Sequence, residues 1–208
     1  MYLNGFSVRV HPGTEVPGGY VELTHGTPYT LHLRNQNPTA CDAQVFVDGK
    51  DVGTFRLHAG AGLPLERPSN DTGRFTFYRA ASLEAQQAGV TSISSQDYGL
   101  IRVVFTPEKE VRPVQSVTYT APLWSAPQPP LAPDYTVTYA VAGAAAAPTC
   151  SAGITGLSGH SQQQFVSVGP LDYDYTRQTT IHLRLVECSA APRPVVSVAT
   201  AIPPAVVR

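Results

Sequence analysis

Alternation of apolar and polar residues is the feature that most narrows what this chain can become. Tyr20-Val-Glu-Leu-Thr24 and Tyr29-Thr-Leu-His-Leu-Arg34 place apolar side chains on one face and polar ones on the other, with Gly26-Thr-Pro28 between them. A period of two is that of a half-buried strand, so these runs predict two strands around a turn. Val45-Phe-Val-Asp-Gly-Lys-Asp-Val-Gly-Thr-Phe55 carries Asp48-Gly49 between two strand-like runs. That dipeptide favours the positive φ of a tight hairpin, and predicts strands near 43–48 and 51–57.

The pattern continues. Leu63 to Glu66 is a short strand closed by Pro68, Arg74-Phe-Thr-Phe-Tyr78 is another, and Gly99-Leu-Ile-Arg-Val-Val-Phe105 is apolar enough to be central. Ala80 to Ala88 predicts the one helix, about two turns, with Gly89 as its C-cap. Residues 1–107 therefore predict a β-sandwich domain. Residues 108–133 form a Pro-rich extended segment, since Pro122, Pro127, Pro129, Pro130 and Pro133 cannot enter a sheet interior. Residues 134–208 predict a β-rich segment that completes the sandwich or packs on partner subunits. It contains the strand-like Thr179 to Val186 and ends in an apolar tail, 189–208. The fold class is all-β: an antiparallel sandwich, with the jelly roll as one form, one short helix and extended Pro-rich arms.

Composition excludes several functions. Charged residues make up 14% of the chain, with 19 Pro and 17 Gly, and the net charge is −1. Ordinary soluble domains carry about 25% charged residues, so part of this surface is expected to be covered by neighbours. Only Lys50 and Lys109 supply ammonium groups, which argues against nucleic acid as a partner. No run reaches the ~18 apolar residues of a membrane span. The first ten residues read as an opening strand with no secretory signal. Cys41, Cys150 and Cys188 are odd in number and widely spaced, which predicts three small, semi-buried thiols in a reducing cytosol, with neither a disulfide framework nor a zinc site.

Chemistry has little to stand on. Gly156-Leu-Ser-Gly-His160 lacks the second glycine of a nucleophile elbow, which leaves Ser158 and His160 in a close-packed glycine-rich loop over 153–161. Asp172 and Asp174 are too few carboxylates for Ca²⁺. The six histidines, at 11, 25, 32, 58, 160 and 182, show no close pair at ligand spacing, so no cofactor or metal is expected. Glu66-Arg67 predicts an internal ion pair at a corner, while Arg67, Arg74 and Arg79 are candidates to gather at a sheet edge and hold an acidic partner.

Three blocks, Cys41 to Phe55, Leu65-Glu-Arg-Pro68 with Arg74-Phe-Thr-Phe77, and Gly99 to Pro107, together resemble a loosely defined group of uncharacterised β-rich proteins of large DNA viruses and bacteriophages. The resemblance implies a non-enzymatic structural protein: a virion component such as a minor capsid, cement or spike protein, acting through subunit-to-subunit β contacts. It would be found in the virion, or in host cytoplasm before assembly. Its partners would be copies of itself or other virion proteins. The candidate partner-binding residues are Trp124, Pro129 and Pro130 in the arm and Val195, Val196, Ile202 and Val206 in the tail. The alternative is a sandwich module that binds carbohydrate or peptide, with Tyr29, Phe55, Tyr78 and Tyr98 as platform residues.

Overall fold

The alternating runs become strands whose apolar members all point into one core. A computed structural model describes residues 1–88, 92–110 and 150–188. In chain order the strands are β1 (Tyr2–Leu3), β2 (Phe6–His11), β3 (Thr14–Val16), β4 (Tyr20–Glu22), β5 (Thr27–Pro28), β6 (Thr30–Asn35), β7 (Cys41–Val47), β8 (Lys50–Leu57), β9 (Gly62–Leu65) and β10 (Arg74–Arg79). Helix α1 (Leu83–Gln87) follows, then β11 (Leu100–Pro107), β12 (Cys150–Ser158) and β13 (Thr179–Cys188).

One sheet has the order β1-β2-β6-β9, and the other β5-β10-β12-β13-β11-β7-β8, with β4 paired to β13 in parallel and β3 beyond it. The result is an all-β antiparallel sandwich. Its chain crosses between sheets from β6 to β7 and back from β8 to β9, placing β2-β6-β9 against β13-β11-β7-β8.

The core lies between the sheets. From the first come Phe6, Val8, Val10, Leu31, Leu33 and Leu65, and from the second Ala43, Val45, Phe55, Ile101, Val103, Phe105, Ile181 and Leu183. Phe6 and Phe105 stack across the interface with ring centres 4.6 Å apart. Buried Asn35 ties the sheets at one end. Its amide donates to the carbonyls of Thr39 at 2.8 Å and His58 at 3.2 Å, and its oxygen accepts from the Asn37 N–H at 3.0 Å.

On the side where β8 and β9 are edges, the segment 159–173 acts as a strap. Phe165 packs on Phe55 at 5.1 Å, the Arg67 guanidinium lies 4.5 Å over the Phe165 ring, and Arg67 donates to the Gln163 carbonyl. Farther along, Arg56 donates to the Gly169 carbonyl at 2.8 Å, and the Tyr173 hydroxyl to Asp42 at 2.6 Å.

Two local expectations are corrected. Residues 153–158 form part of strand β12 instead of a glycine-rich loop. Gly153 and Gly156 are there because the rings of Phe77 and Tyr78 on neighbouring β10 occupy the space a Cβ would need. Gly153→Ala should cost about 1–3 kcal/mol in chemical unfolding, because the fully buried Phe77 cannot swing away. The helix is shorter than two turns: Leu83–Gln87, capped by the Ser82 hydroxyl accepting from Ala85 N–H at 3.1 Å.

The cysteines are the third correction. Cys150 and Cys188 stand directly opposite each other where β12 meets β13, and form a disulfide with an S–S distance of 2.05 Å. Spacing along the chain hid a pair that only strand register brings together. Cys41 alone is free, buried at the start of β7, where burial pushes its thiol up to about 12. Bridges of this kind form and persist in oxidising surroundings. Denatured protein without reductant should therefore titrate one thiol per chain, and three after reduction. Closing a 38-residue separation is worth up to about 4 kcal/mol of chain entropy, so Cys150→Ser/Cys188→Ser should lose stability on that scale in urea.

Candidate binding face

Burial of one side of β2 and β6 leaves a basic face on the other. In β2, Phe6, Val8 and Val10 point inward, so Ser7, Arg9 and His11 point outward. In β6, Leu31, Leu33 and Asn35 are inside, leaving His32 and Arg34 outside. The register sets Arg34 opposite Ser7, His32 opposite Arg9, and Thr30 opposite His11. Next to β6, β9 contributes only Gly62 and Pro64 opposite Arg34 and His32. All of these but Thr30 line an open concavity of about 1170 Å³. The His11 and His32 rings meet edge to face with centres 6.1 Å apart. The acidic residue on its rim, Glu15, is already paired with the Met1 amino group at 2.7 Å.

What marks this face is how the other arginines are used. Arg56 forms a two-point bridge to Asp42 at 2.6 and 3.0 Å, and Arg79 meets Glu187 at 2.6 Å. Arg177 meets Glu110 at 3.0 Å, and Arg74 lies 3.7 Å from Glu66. Arg67 and Arg184 donate to backbone carbonyls, and Arg102 covers the Phe46 ring at 4.0 Å. Among the described arginines, only Arg9 and Arg34 lack an ion pair, a hydrogen bond and a ring contact. Like charges on adjacent strands repel, and among the described residues no carboxylate pairs with them.

The most perturbed carboxylate lies elsewhere, at the β7–β8 turn. Asp48 and Gly49 adopt the positive φ expected of the hairpin, 51° and 76°. The Asp48 carboxylate turns inward to accept from Gly99 N–H at 2.7 Å and Thr155 N–H at 2.6 Å. The Thr155 hydroxyl in turn shares a 2.7 Å hydrogen bond with Tyr29. Burial pushes Asp48 up to about 6, although both N–H groups pull it back, and burial likewise raises Tyr29. Shifted acids often mark active sites, but both oxygens here are held by backbone donors and neither concavity reaches them. The group joins the hairpin to β11 and β12.

Other candidates are also in structural use. The Ser158 hydroxyl bonds Thr76 at 2.6 Å, and His160 is exposed beyond it. Asp172 takes Lys109 at 2.8 Å, and Asp174 caps the turn at Thr176. Among the described residues, no group of three His, Cys, Asp or Glu could hold a metal. Glu66 accepts from Ser161 at 2.9 Å and lies near Arg74, while its neighbour Arg67 holds the strap. Arg67, Arg74 and Arg79 therefore serve separate partners and do not form one site.

At Asp42, burial raises the carboxyl, but the hydrogen bonds from Arg56 and Tyr173 outweigh it and hold it below the usual range. A second concavity, about 820 Å³, is lined by Glu22, Arg79, Glu187 and Cys188. Its Glu187 is spent on Arg79 and the His25 N–H.

The aromatic platform is not displayed. Tyr29 and Phe55 are 2% and 5% exposed, and Tyr78 and Tyr98 pack around Ala85 and Ile154. Trp124, Pro129, Pro130, Val195, Val196, Ile202 and Val206 lie outside the described residues. Arg9, Arg34 and His11 were missed as a group, although each occupies the polar phase of an alternating strand.

A scan against family models, a search of curated proteins and a search of solved structures each found no match. Among the described residues, no helix is long and apolar enough to cross a membrane.

Asp48 gives a pH prediction with a definite sign. Folding raises its pKa from 3.8 to about 6. Its favourable contribution is thus complete below the lower value and is lost as pH rises through the upper one. Between pH 4 and 7 the wild type should lose up to about 3 kcal/mol relative to Asp48→Asn, which keeps the turn but cannot ionise. Urea unfolding of both proteins across that range measures it.

Proposed function

We propose that the protein works by binding and not by catalysis, holding an acidic partner against the outward face of its four-stranded sheet. The observation that carries this reading is the pair Arg9 and Arg34, left without a counter-charge in a fold that pairs or packs every other described arginine. Arginine in an open concavity recognises carboxylates and other oxyanions through two parallel hydrogen bonds.

Service as a subunit of a virion or another assembly is compatible with such a face, the acidic partner then being a neighbouring protein. Strand addition at β8 has less support. That edge bulges at Val52, which has no partner where the register against Val45 and Phe46 of β7 shifts, Asp51 accepts from its own Gly53 N–H at 2.8 Å, and the Val52 carbonyl is taken by Ser69 N–H at 2.9 Å. These are the devices that blunt an edge. Carbohydrate binding on stacked aromatics loses its residues to the core.

The test is charge reversal. Arg9→Glu/Arg34→Glu should weaken retention on immobilised polyanions by about tenfold or more, roughly 1.4 kcal/mol. Lys50→Glu/Arg102→Glu, with the same change in net charge on the other sheet, should barely change it. Equal loss in both variants would reduce the effect to overall charge and overturn the reading. Thermal melts confirm that both variants fold.

A further inference from the structure

Taking the binding reading above as its basis, we infer that the partner is an extended acidic polypeptide lying along β2 and β6, with carboxylates on alternate residues. Same-face residues in a strand repeat every ~6.8 Å, and the register places two guanidinium and two imidazole groups on three such levels. Arg34 stands at the first, Arg9 and His32 share the second, and His11 stands at the third. The ladder is therefore about 14 Å long.

An extended peptide running beside these strands has the same repeat, because every second side chain points to the same side. An acidic residue at every second position would meet each level in turn, with bidentate contacts at both guanidinium groups. Side chains between them would point away from the sheet and need no recognition.

The floor of the face separates this ligand from other polyanions. Single-stranded nucleic acid is held by aromatic platforms on which bases stack. Here Tyr2, on the short edge strand β1, is the only Phe, Tyr or Trp among the described residues lining the concavity. The rungs between the charges are small or flat: Ser7, Thr30, Gly62 and Pro64. Such a surface admits the tips of extended side chains. The peptide would lie on the face without joining the sheet, since the edge at β9 is occupied by Gln163, which accepts from Glu66 N–H at 3.0 Å and donates to the Pro64 carbonyl.

Labelled peptides bound to the full chain provide the test. One alternates Glu with Ser over eight residues, and one has the same composition in two blocks. An oligothymidylate and a sulfated oligosaccharide of equal charge complete the panel. The alternating peptide should bind about tenfold or more tightly than the block peptide, and Arg9→Gln/Arg34→Gln should abolish that preference while leaving the melting temperature unchanged. Equal binding of the two peptides would overturn the spacing argument and leave the acidic-partner reading standing. Tighter binding of the oligonucleotide or the sulfated sugar would overturn the choice of a polypeptide. No binding by any of the four would remove both.

Discussion

The register of β2 against β6 is the constraint from which the rest of the molecule follows. Phe6, Val8 and Val10 must be buried, as must Leu31 and Leu33, and only one phase of pairing buries both sets. A slip of one residue would turn Arg9 and His11 into the core and the apolar side chains into water. Holding that phase is what arranges Arg34, Arg9, His32 and His11 on a shared surface. The basic face is thus a by-product of core packing in its position, though not in its composition. Residues of either charge or none could have occupied the outward phase, and the chain has four basic or imidazole side chains there.

The opposite sheet uses its charges differently. Asp48 gathers two backbone N–H groups from separate strands, so the tip of one hairpin fixes where β11 begins and where β12 passes. Asp42, Arg56 and Tyr173 clamp the far end of the strap, and Arg67 with Phe165 clamps its middle. Once the strap covers the open side, the core beneath Phe55 no longer meets solvent there. Polar residues on this half of the molecule are committed to holding the chain in place, which makes the uncommitted arginines of the first sheet stand out.

Much of the architecture was legible in the sequence, because alternation is a direct consequence of burying one side of a strand. The Asp48-Gly49 hairpin, the short strand after Gly62 and the central position of β11 could all be read from local residues. β12 could not. Gly153 and Gly156 read as loop residues because their requirement comes from Phe77 and Tyr78 on another strand. The Cys150–Cys188 bridge was hidden for a similar reason, since the pairing depends on two strands coming into register. The sequence showed His32 and Arg34 as polar-face residues, but the lack of a counter-charge at Arg34 emerged only when every other described arginine except Arg9 had a partner in three dimensions. The aromatic residues considered as a platform illustrate the converse: composition identifies rings, and topology decides whether they are displayed.

The pairing of β4 with β13 has a further consequence, for the order of assembly. Tyr20 lies opposite Arg184, so a strand made early in synthesis waits for nearly the whole described chain before it finds its neighbour. Contacts between such distant positions are slow to form, because loop-closure entropy must be met before they contribute. The strands of the basic face, by contrast, all fall between residues 2 and 65. Their hydrogen bonds can form while the ribosome is still making the chain, but their inward side chains find cover only as Val45, Phe55 and Phe105 arrive, and the last of it only with Ile181 and Leu183. A nascent chain therefore presents an apolar sheet surface for much of its synthesis, and this is the interval in which a chaperone or another copy of the chain would have something to hold.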